Sequence, residues 1–233
     1  MIYSYKGSRV IASSKKEAIK KIIADKQMSD EEIFEKAGKG DKSILKLPED
    51  RLKIKDKYGD TPIHYLARKG VKEVLKLPVE LLMIQNDYGN TPVRWLIVKG
   101  VKEVLKLPKS ILKIQNNEGS TPVHWLATAG FKEILKFPKE LLMIQDKEGF
   151  TPIHLLASSG VGIKEILKLP KELLMIQDKE GWTPIHLLAS KGVKEILKLP
   201  KEVLTIDNYG GNTPIHLLAK KGIEIPEELK YLI

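Results

Sequence analysis

The dipeptide Thr-Pro recurs at residues 61, 91, 121, 151, 183 and 213, so its spacing is 30, 30, 30, 32 and 30 residues. A fixed period in this range points to a stack of small units in which each packs on its neighbours, and it excludes folds built around one central core. The fullest copy, Gly59-Asp60-Thr61-Pro62-Ile63-His64-Tyr65-Leu66-Ala67-Arg68-Lys69-Gly70, contains the signals for a short helix. Thr61 is suited to cap free N–H groups, and Pro62 fits the first helical position, where a missing N–H costs nothing. Ile63, Leu66 and Ala67 then share one face, and Gly70 supplies the left-handed residue that ends the helix.

Behind this first helix, Val71–Leu77 reads as a second short helix with Val74, Leu75 and Leu77 apolar, stopped by Pro78. The remainder, Val79 to Gly89, needs burial for Leu81, Leu82 and Ile84. It ends in a four-residue turn opened by Asp or Asn and closed by Gly, as in Asp56 to Gly59 and Asn86 to Gly89. The loop is expected to project between successive helix pairs.

These residues, Gly-x-Thr-Pro-Ile/Val-His-x-Leu-Ala followed by Gly and a second apolar segment, resemble the ankyrin repeat over about residues 29 to 233. The period of 30 is shorter than that family's usual 33, and Leu-Pro-Lys-Glu-Leu-Leu replaces its usual hairpin segment. The resemblance implies a mainly α fold, an ankyrin-like solenoid of stacked helix-turn-helix repeats with projecting loops or short hairpins. Leucine-rich repeats, suggested by the Leu-Pro-x-Glu-Leu-Leu stretches, fit neither this period nor the capped Thr-Pro helix.

Residues 61–212 form five repeats: 61–90, 91–120, 121–150, 151–182 and 183–212. The fourth carries a two-residue insertion around Val161-Gly162-Ile163. Residues 29–60 align at the same offset with Glu31-Glu32 in place of Thr-Pro, and Ser29 with Glu32 makes an alternative capping box; this is an expected N-terminal cap. Residues 213–233 keep the Thr-Pro helix and then shorten, with Leu229, Tyr231, Leu232 and Ile233 expected to close the core. A nearest-neighbour stack of this kind is expected to be one elongated domain.

Residues 1–28 lie outside the repeat. Ile2 to Tyr5 and Arg9 to Ala12 read as strands and Ser14-Lys15-Lys16-Glu17 opens a helix, giving a small ββα element. It is strongly basic, with seven cations against two carboxylates, half of the chain's net charge of +10.

All five histidines, His64, His124, His154, His186 and His216, occupy one slot. A metal column is the sharper reading, but equivalent positions in stacked repeats stay too far apart to converge on one ion. A histidine three residues after the capping Thr is instead expected to hydrogen-bond back to the helix start or on to the next loop, and the resemblance implies that role. Arg94 fills the slot in the second repeat. No phosphate loop, nucleophile motif or zinc-protease motif is present, and the Lys/Glu runs read as solvated faces; the expectation is a non-enzyme without cofactor or metal.

Positions that vary between repeats are free for a partner. Before Thr stand Asp60, Asn90, Ser120, Phe150, Trp182 and Asn212; earlier on the loop stand Tyr58, Tyr88, Glu118, Glu148 and Glu180; after the His slot stand Tyr65, Trp95 and Trp125, then leucines. In the resembled family this face and the loop tips form a concave groove. The expected partner-binding residues are therefore Tyr58, Asp60, Tyr65, Tyr88, Asn90, Arg94, Trp95, Trp125, Phe150 and Trp182, with Phe150 and Trp182 expected to be exposed. The main expectation is a monomeric, cytoplasmic protein–protein interaction scaffold, secretion without a classical signal being left open. The alternative is nucleic-acid or anionic-surface binding by residues 1–28 with the repeats as a spacer. No run is long and apolar enough to span a membrane.

Overall fold

A computed structural model describes residues 2–5, 8–11, 14–17, 19 and 28–232. The chain divides into two compact units, residues 1–117 and 118–233. The described residues are mainly helical.

Unit 1 contains the Thr-Pro helices Pro62–Arg68 and Pro92–Val98, preceded by Asp30–Lys39. The Asp30–Lys39 helix starts where its capping signal stands, with Ser29 Oγ accepting from the Glu32 N–H at 3.2 Å. Unit 2 contains Pro122–Thr128, Pro152–Ser159, Pro184–Ser190 and Pro214–Lys220. Within each unit successive helices pack side by side on their Ile/Val, Leu and Ala positions. Ile63, Leu66 and Ala67 are fully buried in unit 1, as are Ile153, Leu156 and Ala157 in unit 2. Each such Leu or Ile contributes on the order of 2 kcal/mol by leaving water.

The helices end as their glycines require. Gly70 takes φ +79, its N–H reaches the Ala67 carbonyl at 2.8 Å, and the next N–H, of Val71, reaches Leu66 at 3.1 Å. This pairing closes the last turn.

The second helix departs from expectation. The span expected to form the second helix is in most repeats a 3-10 turn, such as Lys72–Lys76, and beyond the proline that stops it stands a further single-turn α-helix, such as Val79–Leu82. The reason is local. Leu77 precedes Pro78 and is pushed to an extended conformation at φ −71, ψ 159, while Gly70 is left-handed. Few residues remain between them for helix, and a 3-10 turn fits so short a span. Where the fourth repeat gains two residues the same segment becomes the α-turn Ile163–Ile166, with Gly162 left-handed before it. The segment after Pro78 buries Leu81 and Leu82, which answers where those leucines go.

At the C-terminus Ile225 and Leu229 are buried, whereas Tyr231 is 65% exposed and lies against the Lys201 ammonium rather than closing the core. At the N-terminus Ile2–Tyr5 and Ser8–Ile11 pair antiparallel, Tyr3 opposite Val10. The ββα element expected over 1–28 is not established as a unit, because most of its helix falls on residues outside those described. The basic cluster of the alternative reading falls largely there too.

Candidate functional site

Two kinds of position alternate on each repeat, those that join it to the next one and those left facing out. The histidines belong to the first kind. Thr61 sits at the helix start with φ −94, ψ 167 and His64 completes a capping box, the role a Glu or Gln more often fills. The Thr61 N–H donates to His64 Nδ1 at 3.1 Å, and His64 Nε2–H donates to the Asn90 carbonyl in the next loop at 3.0 Å. A carbonyl can only accept, so Nε2 carries the proton and the imidazole is neutral. The arrangement recurs within unit 2, where His124, His154 and His186 donate to the carbonyls of Phe150, Trp182 and Asn212 at 3.0, 3.0 and 2.9 Å. Burial pushes the pKa of His64, His124, His154 and His186 below the usual imidazole value. Among the described residues no group of His, Asp and Glu is placed to hold a metal ion.

The loops are joined in the same way. Asp56 Oδ1 accepts from the Tyr58 and Asp60 N–H groups, both at 2.9 Å, and Asp178 repeats this with Glu180 and Trp182 at 2.9 and 2.8 Å. One side-chain oxygen thus organises the whole turn, which explains Asp or Asn at its opening. Each loop then receives a bond from the next: Asp87 N–H donates to the Tyr58 carbonyl at 3.1 Å, and Tyr209 N–H donates to that of Glu180 at 3.0 Å. The approach is so close that a Cβ on Gly181 would stand 2.7 Å from the Tyr209 nitrogen.

Of the expected partner-binding residues, Tyr58 and Tyr88 are 47% and 59% exposed at the tips of unit 1. Asp60 and Asn90 are buried and hold neighbouring loops: Asn86 Nδ2 donates to Asp60 Oδ1 at 2.7 Å, and Asn116 Nδ2 donates to Asn90 Oδ1 at 3.0 Å. Tyr65, Arg94 and Trp95 are half-buried, as is Trp125 in unit 2. Phe150 and Trp182 are also half-buried rather than exposed, because each ring turns edge-on to the histidine that follows it, at 5.9 Å to His154 and 5.8 Å to His186.

Unit 1 brings Asp60, Tyr65 and Trp95 together through a residue missing from that set, Arg68. Its guanidinium carbon lies 4.4 Å from the Trp95 ring centre and 5.3 Å from that of Tyr65, and its Nη2 donates to Asp60 Oδ2 at 2.7 Å. The Arg94 guanidinium carbon also lies near this indole, 5.2 Å from the ring centre. Tyr65 packs on Phe34 at 5.4 Å and donates its hydroxyl to Asp56 Oδ2 at 2.7 Å. Its phenol pKa is pushed up to about 12, first by burial and then by the Asp56 carboxylate. A signal for Arg68 was available in the sequence. The chain has four arginines, and the other Thr-Pro helices carry Val98, Thr128, Ser158, Ser190 and Lys220 at this position. Tyr209, 76% exposed on the last loop, was also passed over.

The geometry defines a helical repeat protein with stapled loops. No family model matches the chain, and no curated protein matches it. Among solved structures it is similar to the ankyrin repeat domain of Bcl-3, described as a unique member of the IκB protein family. The TM-score is 0.59 and the identity 15%, over 79% of this chain and 92% of that one. The fold is therefore ankyrin-like, as the recurring Thr-Pro motif implied. Among the described residues no helix is long and apolar enough to cross a membrane.

Proposed function

We propose that this protein is a non-enzymatic scaffold that binds another protein through the outward faces of its Thr-Pro helices and its loop tips, with unit 1 supplying the principal anchors. One observation carries the reading. The residues that repeat faithfully are consumed in joining repeats, whereas Tyr58, Tyr88, Tyr65 and Trp95, which vary along the chain, are left exposed or half-exposed on unit 1. Tyr and Trp present large, rigid contact areas at low entropic cost, and Arg beside them is the other common anchor of protein interfaces. The corresponding columns of unit 2 offer Glu148 and Glu180 at the tips and Leu155 and Leu187 on the helices, a different chemistry.

The reading is tested with a photo-crosslinking amino acid placed at position 58 or 88, compared with position 143. Met143 is 41% exposed at the C-cap of the short helix Lys139–Leu142, outside the turn that forms the loop tip. A discrete crosslinked protein from positions 58 and 88 but not from 143 is expected. Equal crosslinking at all three, or none at 58 and 88, would refute it.

A further inference from the structure

The chemistry of the partner can be read from the hydrogen bonds that unit 1 leaves unmade, an inference that rests on the scaffold reading above. On the acceptor side each carboxylate oxygen already has a partner. Asp56 accepts two backbone N–H groups on Oδ1 and the Tyr65 hydroxyl on Oδ2. Asp60 accepts Asn86 on Oδ1 and Arg68 on Oδ2. Each carboxylate oxygen of the cluster is occupied.

On the donor side there is a surplus. Arg68 Nε and Trp95 Nε1 are both buried atoms with no hydrogen-bond partner, and the Arg68 guanidinium carbon stands 4.4 Å from the Trp95 ring centre. Buried donors left unpaired cost about 1–3 kcal/mol each, and native structures seldom retain them without a reason. The missing group must therefore be an acceptor. Beside a guanidinium an anionic acceptor is favoured, because charge-assisted bonds are the stronger ones. The Arg68 side chain is 39% exposed, so part of it can be reached from outside although its Nε is closed to solvent. The chain's net charge of +10 favours encounter with an acidic segment.

We propose that the Arg68–Trp95 face of unit 1 receives the carboxylate of an Asp or Glu side chain carried by an acidic segment of the partner protein. On binding, the Arg68 guanidinium shifts off the indole while keeping Asp60 on one edge, and so uncovers its own Nε–H and the indole N–H, both closed to solvent in the free chain, for the incoming carboxylate. Tyr65 and Trp95 flank the guanidinium and limit access of water.

The test uses the full chain and a set of short, C-terminally amidated peptides rich in Asp and Glu, each paired with its Asn/Gln counterpart, with binding read by fluorescence anisotropy. Amidation removes the terminal carboxylate, so only side chains can supply the anion. Acidic peptides are expected to bind, and their Asn/Gln counterparts to bind about tenfold or more weakly, the loss of one charge-assisted bond. Arg68→Gln and Trp95→Phe should each weaken the acidic peptide about tenfold. Trp95→Phe keeps the ring and removes only the N–H, so it decides the matter if Arg68→Gln alters folding, which thermal unfolding of each variant reports. The double variant Lys168→Gln/Lys198→Gln removes two exposed charges from unit 2, outside the Thr-Pro helices and the loop tips, and should change binding by less than about twofold, since exposed charges are well screened. The inference is overturned if the Asn/Gln counterparts bind equally, if no peptide binds, or if the unit 2 variant loses as much as Arg68→Gln. A partner crosslinked at positions 58 and 88 would in those cases leave the scaffold reading standing without its carboxylate anchor.

Discussion

His154→Ala should be among the most damaging single changes in unit 2, and much worse than the same change at His216. His154 is fully buried and bonds in both directions, with Nδ1 accepting from the Thr151 N–H at 3.1 Å and Nε2 donating to the Trp182 carbonyl at 3.0 Å. Alanine would leave both backbone partners unpaired, at about 1–3 kcal/mol each, and would remove a ring that Phe150 packs against, for a total of roughly 4 kcal/mol. His216 makes the helix-start bond to Thr213 at 3.3 Å, is half-buried, and makes no onward bond to a loop carbonyl among the described residues. Its loss should be close to that of a cap alone, about 1 kcal/mol. Urea unfolding of the full chain, followed by circular dichroism and fitted with a nearest-neighbour repeat scheme, separates the two, because stacked repeats need not unfold all at once. Equal destabilisation by both variants, or a His154→Ala effect below about 1 kcal/mol, would refute the claim that the histidines join one repeat to the next.

The same column predicts acid sensitivity. Burial depresses the pKa of His64, His124, His154 and His186, so the unfolded chain binds protons more readily, and the stability they give is fully present above pH 6.5. It should be lost as pH falls below that value, at up to about 1.4 kcal/mol per pH unit for each histidine, which urea midpoints between neutral and mildly acidic pH would show. Arg94→His should raise stability by about 1 kcal/mol in the same assay by restoring the capping box that the other Thr-Pro helices have. Gly181→Ala and Gly211→Ala share the left-handed penalty of about 1–2 kcal/mol, but only the former meets the next loop. With φ +80 and a Cβ 2.7 Å from the Tyr209 nitrogen, Gly181→Ala should lower the thermal midpoint further than Gly211→Ala, which meets nothing within 4 Å.

What the sequence made legible follows from where the controlling interactions lie. Thr-Pro starts, glycine stops and Asp/Asn-to-Gly turns are settled by contacts within a few residues, and they stand where the motif placed them. The stop of the second helix at Pro78 was legible too, since the residue before a proline is constrained by covalent geometry; the 3-10 winding of its span and the helical turn Val79–Leu82 beyond it are not marked by the apolar pattern of Val74, Leu75 and Leu77. The Arg68–Trp95 pairing joins residues of adjacent repeats; the rarity of arginine marks Arg68 in the sequence, but which ring it lies against is set by the stacking of the repeats. Asp60 and Asn90 misled for a related reason. Their variation suggested freedom, but each holds a different neighbour, Asn86 and Asn116, so variation there reflects exchange of one loop-to-loop bond for another. Phe150 and Trp182 lie on loops, yet the edge of a histidine gives each ring an apolar place to rest.

The measurement that bears most directly on the scaffold claim is a paired determination, on Tyr58→Ala, Tyr88→Ala and His154→Ala, of affinity for the crosslinked partner and of unfolding free energy. The two tyrosine variants should weaken the partner about tenfold or more, the usual loss at an interface anchor, while leaving stability within about 0.5 kcal/mol of the parent; His154→Ala should do the reverse in unfolding. Tyrosine variants that lose stability and binding together, or that bind as well as the parent, would contradict the assignment of the loop tips to a partner.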